Sequence, residues 1–152
     1  MLSSYATTLM PAPVAIVIAS AGDRRDASTV TFFSEVAHHP TSLWVSLNTS
    51  SLTHELVQES GEFTLSVLSR KQRDLALACG TISGRQADKC AGLDLVLTPR
   101  GFHYLVGAIA STACRVRRTI SLGDHTVFIA DMLEGERDTR AARLGPLLSI
   151  DV

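Results

Sequence analysis

What most constrains this chain is its punctuation: short runs rich in β-branched and aromatic residues recur from Val14 to Leu133, each stopped by Gly, Pro or Asp before it reaches the length of a long helix. Val14 to Ala19 is apolar throughout and reads as a buried strand. Turn chemistry at Ala21-Gly22-Asp23 joins it to Ser28–Phe33, so the two form a hairpin, and Pro40 closes that region. Leu43, Val45 and Leu47 alternate with Trp44 and Ser46, and Phe63, Leu65 and Val67 alternate with Thr64 and Ser66, which predicts two half-buried strands. Further strands are expected at Leu93–Leu97, Tyr104–Ala110, Ala113–Ile120 and Thr126–Leu133, the last after the turn Gly123-Asp124.

Helices are short and few. Leu2–Leu9 is a candidate behind Ser3 or Ser4, ended by Pro11 and Pro13. Leu52–Glu59 follows a hydroxyl-rich turn and stops at Gly61, and a Ser69/Gln72 capping box opens a third helix toward Cys79. A glycine-punctuated loop then runs from Gly80 to Gly92. With no repeat and no low-complexity tract, the expectation is a mainly β fold over residues 1–152, a single closed β-barrel domain with a few short helices.

Charge narrows the function classes. Fourteen basic residues against fifteen acidic ones, with no basic run longer than a pair, argue against nucleic acid as partner. The apolar run Val14–Ala19 is too short to span a bilayer. Ala19-Ser20-Ala21 imitates a signal-peptidase site, but no Lys or Arg precedes it, so a cytoplasmic location is expected. Cys79, Cys90 and Cys114 lack the C-x-x-C spacing of a zinc or redox pair, and His38-His39 diverge on an extended chain, so no metal is expected.

The residues that can carry chemistry are dispersed. Asn48-Thr49-Ser50-Ser51, followed by Thr53, leads a strand onto a helix start, where free amides and the helix dipole favour phosphate; a plain helix cap explains the same residues. Gly123-Asp124-His125 delivers an imidazole at a strand mouth, and strand alternation gives Asp124 no claim to orient it. Thr29 to Ser34 offers hydroxyls along a strand, and Asp88-Lys89 one cation within the glycine-flanked loop.

Taken in order, these pieces resemble the flavin-reductase-like family of FMN-binding split barrels, which includes reductase components of two-component flavin monooxygenases. Thr29-Val30-Thr31-Phe32-Phe33-Ser34-Glu35-Val36 is similar to its T-V-S-S-F-x-S-V segment, and Asn48-Thr49-Ser50-Ser51-Leu52-Thr53-His54 to its S-S-x-T-H turn. Asp88-Lys89-Cys90-Ala91-Gly92 resembles the D-K-F-x-G loop, and Gly123-Asp124-His125-Thr126-Val127-Phe128 the G-D-H-T-I-F strand. The resemblance implies a split barrel, a homodimer, FMN (with FAD as the alternative flavin) and NADH or NADPH as hydride donor. It also implies a monooxygenase partner that takes the reduced flavin.

The cofactor contacts it implies fall on Thr29, Val30, Thr31 and Phe32, on Leu47, Asn48, Ser51 and Thr53, and on Lys89, with His125 at the redox step. Phe32 stands where the family has its second Ser, and Cys90 where the loop has its aromatic. Two other functions fit the same residues, a non-catalytic FMN-binding protein and a split barrel serving as an interaction module.

Overall fold

A computed structural model describes residues 9–152. The helix expected over Leu2–Leu9 thus lies outside the described residues, apart from Leu9 itself. Nine strands and three α-helices follow: β1 (Ala15–Ala21), β2 (Arg24–Val30), β3 (Phe33–His38), β4 (Thr41–Asn48), α1 (Leu52–Ser60), β5 (Glu62–Val67), α2 (Arg73–Thr81), β6 (Leu95–Leu97), β7 (His103–Leu105), β8 (Ala110–Leu122), β9 (His125–Arg137) and α3 (Thr139–Leu144). Seven strands form one antiparallel sheet in the order β2-β1-β5-β8-β9-β4-β3, while β6 and β7 pair separately.

The barrel is not closed, contrary to the expectation from periodicity. β2 and β3 are the two edges of the ladder and do not pair with one another. The run expected as one strand over Ser28–Phe33 breaks at Thr31-Phe32, because these residues carry the chain from one edge to the other. Phe32 has already changed sides: its carbonyl accepts the Ser46 amide of β4 at 2.9 Å. This crossing is the split in the barrel.

β1 explains the uninterrupted apolar run. Its Ala15, Val17 and Ala19 face a core with Leu43, Val45, Leu47, Leu56, Phe63 and Phe128, while Val14, Ile16 and Ile18 face a second core with α2 residues Ala76 and Cys79, Leu105 and Leu147. β5 is likewise buried on both faces, not half-buried as its alternation suggested. Its inward Ser66 hydroxyl is bonded to the Ser111 hydroxyl at 2.8 Å, which lets a polar residue sit in the core.

β8 and β9 contain the strands expected over Ala113–Ile120 and Thr126–Leu133 and extend them by one to four residues at each end, with Arg117 to Leu122 exposed and two register shifts between them. The strand expected over Tyr104–Ala110 shrinks to β7, where Gly107, at φ 83°, turns the chain. Among the described residues, no helix is long and apolar enough to cross a membrane.

Candidate functional site

A groove of about 670 Å³ opens where the barrel splits, within the size range of small-molecule sites. Five elements wall it: the end of β2 with the Thr31-Phe32 crossing, the end of β4, the hydroxyl turn into α1, the end of α2 with the loop after it, and the β8–β9 turn. The residues expected at a cofactor arrive here together: Thr29, Val30, Thr31, Phe32, Leu47, Asn48, Ser51, Lys89 and His125 all line the groove.

At the turn into α1, Asn48 organises the backbone. Its side-chain oxygen accepts from the Ser50 amide at 2.9 Å and the Ser50 hydroxyl at 2.7 Å, and its carbonyl accepts from Ser51. Ser51 caps the helix, accepting the His54 amide at 3.1 Å. The first-turn amide of Leu52, which lines the groove, has no intrahelical acceptor, so a donor and the positive end of the helix dipole meet the groove at this point. Capping and anion binding are thus compatible here.

Thr53 departs from expectation. It does not line the groove; it is fully buried, and its hydroxyl donates to Asp26 Oδ2 at 2.7 Å. Lys89 lines the groove, but its ammonium is spent elsewhere than on open solvent. The side chain is 6% exposed, with Nζ 3.5 Å from Asp26 Oδ1 and donating to the Cys79 carbonyl at 3.1 Å. It thereby caps the end of α2 and neutralises a carboxylate that is itself 1% exposed. Asp88, its neighbour in sequence, turns outward to Arg25, at 2.7 Å.

The β8–β9 turn corrects a second reading. Asp124 does orient His125: Oδ1 lies 2.7 Å from Nδ1. Strand alternation does not separate them because Asp124 belongs to the turn, where Gly123 has φ 62°. A carboxylate can only accept, so Nδ1 carries the proton, and that bond holds the Asp124 carboxyl below its usual range. The Phe32 ring lies 5.7 Å from the His125 ring, tilted by 56°, at the groove mouth.

Sequence reasoning missed Ser28, Asp124 and the stretch Gly80–Gly84, all of which line the groove. The glycine punctuation of that loop was the available signal. Gly84 passes so close to Asp26 that a Cβ there would lie 2.1 Å from Oδ1.

Beneath the groove, His54 is buried edge-on against Phe128 at 5.4 Å, with Nε2 2.8 Å from the Thr126 hydroxyl. Burial lowers its pKa from the ordinary 6.5. The unfolded chain therefore takes up this proton first as pH falls, and stability declines from about pH 6.5 downward. Urea unfolding at pH 8 and pH 5.5 should show that loss, and His54→Gln should flatten it; an equal slope in both proteins would assign the loss to other groups. The three cysteines are buried and unpaired, and burial pushes the thiols of Cys90 to about 11 and Cys114 to about 12, so neither is a nucleophile at neutral pH.

Residues 7–151 match the family model described as flavin reductase like domain. The chain belongs to that family. It is 33% identical over 134 residues to the high molecular weight rubredoxin of Moorella thermoacetica, covering 83% of this chain but 58% of that protein. It is 33% identical over 138 residues to the reductase component of the FADH(2)-dependent resorcinol hydroxylase of a Rhizobium species, covering 88% of this chain and 76% of the relative. The solved styrene monooxygenase flavin reductase of Pseudomonas putida S12 superposes with a TM-score of 0.78 at 26% identity, covering 89% of this chain and 85% of that one. The fold is accordingly the split barrel of this family.

Proposed function

We propose that this flavin reductase domain binds FMN in the groove and transfers hydride to it from NADH or NADPH. The observation that carries the reading is the arrangement of the groove: a helix start with the free Leu52 amide at one end and an aromatic-imidazole pair, Phe32 and His125, at the other. A phosphate suits the first, and a planar ring the second. The groove's size and its mix of backbone donors, hydroxyls and one aromatic face fit a flavin mononucleotide. FAD is the alternative flavin.

When bound, the flavin supplies the redox chemistry, taking up hydride at N5. The chain's own groups hold and orient. The Leu52 amide, with the Ser50 and Ser51 turn around it, would hold the phosphate, and Thr31 and Phe32 would border the ring. His125, with Nδ1 given to Asp124, keeps Nε2 as its remaining polar atom; in the neutral ring that atom accepts, which suits a carboxamide N–H of the nicotinamide better than negative charge on the flavin.

The active unit in this reading is a homodimer. β3 is an edge strand whose residues from Ser34 to His38 are all exposed, including Val36, and it follows directly on the groove residue Phe32. The reduced flavin passes to a partner monooxygenase in this reading, which is supported by the Rhizobium relative's being named the reductase component of an FADH(2)-dependent resorcinol hydroxylase. A cytoplasmic location agrees with the free thiols and is checked by cell fractionation.

FMN titrated into the purified protein should bind more tightly than riboflavin, by about 1–3 kcal/mol for charge-assisted bonds to the phosphate. Sedimentation of the loaded protein should report twice the chain mass. Equal affinities for the two flavins would remove the phosphate site from α1, and a monomer that binds FMN tightly would remove the dimer.

A further inference from the structure

We propose that Ser28 is a ligand-binding residue of this groove, accepting a hydrogen bond from a hydroxyl of the flavin's polyol side chain; the proposal rests on the flavin reading above.

Asp26, on β2, can only accept, and Thr53 gives its single hydroxyl proton to Oδ2 at 2.7 Å. The Ser28 and Thr53 hydroxyls are also bonded, 2.7 Å apart. Since Thr53 has no second proton, Ser28 must be the donor in that pair. The relay has one direction, from Ser28 to Thr53 to Asp26, and Lys89 closes its end, with Nζ 3.5 Å from Asp26 Oδ1.

Ser28 is half-buried and lines the groove, and its proton is committed inward. What it shows the groove is an acceptor. The neighbouring Thr29 hydroxyl cannot donate to a ligand either, because its proton goes to the Ala76 carbonyl of α2 at 2.5 Å. A phosphate, which presents only acceptors at neutral pH, is unsuited to Ser28; a ligand O–H is suited.

Position selects which O–H. Ser28 is one hydrogen bond from Thr53 in the first turn of α1, at the phosphate end, and three residues before Thr31 at the ring end. The segment of FMN that joins phosphate to ring is the polyol, and its hydroxyls pass this point. Ser28 therefore reads the linker of the ligand and neither of its ends.

The test uses three flavins: FMN, riboflavin, and lumiflavin, which lacks the polyol. In Ser28→Ala, affinity for FMN and riboflavin should fall together by about three- to ten-fold, the range of one neutral hydrogen bond, and affinity for lumiflavin should be unchanged. Equal losses for all three would place Ser28 at the ring, and no loss for any would leave it a spectator; either overturns the proposal. Should Ser28→Ala fail to fold, riboflavin analogues with one side-chain hydroxyl replaced by hydrogen, titrated into the unaltered protein, give the same reading. One position should then lose the same factor, and uniform affinity across the series would overturn it. An unaltered protein that binds none of the three flavins would instead remove the flavin reading itself.

Discussion

Lys89→Met is expected to cost about 3–5 kcal/mol of stability, and Asp26→Asn added to the same chain is expected to recover most of it. The large first effect comes from what is left behind. Without the ammonium, the Asp26 carboxylate is stranded at 1% exposure, with Oδ1 already lacking any hydrogen bond and only Thr53 on Oδ2. The double variant removes the charge as well as its partner, which is why it recovers. Gly84 is packed against Oδ1, where a Cβ would lie at 2.1 Å, so the carboxylate cannot relax toward that loop. Denaturant unfolding of the three proteins checks this, with FMN affinity followed alongside. A Lys89→Met protein of full stability that had lost FMN but not riboflavin would show instead that the ammonium serves the phosphate.

His125→Ala is expected to slow flavin reduction by the nicotinamide by about ten- to a hundred-fold, the range for losing a group that orients a reactant. FMN affinity and melting temperature should be nearly unchanged. The side chain is tied to Asp124 and touches Phe32 at the groove mouth, outside both cores, so little of the fold depends on it. Asp124→Asn should slow the reaction less, since the carboxamide still accepts from Nδ1 while losing its charge. Stopped-flow reduction under anaerobic conditions reads both, and an unchanged rate in His125→Ala would assign the residue to structure.

The elements that were legible in the sequence are those whose burial is one-sided or complete. β4 shows it plainly: Leu43, Val45 and Leu47 are buried and Trp44 and Ser46 are not, so the alternation names the strand and its inner face. α1 was equally legible, with Ser51 at its start and Gly61, at φ 71°, at its end. β3 was not, because its residues past Phe33 are exposed edge positions with no buried face to give a period. The break at Thr31-Phe32 was also hidden, since β-branched and aromatic residues favour extended backbone on either side of a crossing.

The site was legible in outline through the resemblance, and misread where tertiary pairing decides the role of a side chain. Thr53 looks like a phosphate donor in one dimension and proves to be a buried partner of Asp26, twenty-seven positions earlier in the chain. Lys89 looks like a cation offered to the ligand and is a buried counter-ion of Asp26. Asp124 was denied a role by an alternation rule that holds only inside a strand. In each case the partner is set by the way β2 folds against α1 and the loop after α2, or by a turn, and no local pattern records that.

The measurement that bears most directly on the account is anaerobic mixing of the purified protein, loaded with FMN, with NADH and separately with NADPH. The account predicts that at least one donor abolishes the visible absorption of the oxidised flavin, stoichiometrically with donor added and much faster than it reduces free FMN. A protein that binds FMN in the groove yet leaves its spectrum unchanged with both donors would contradict the reductase reading.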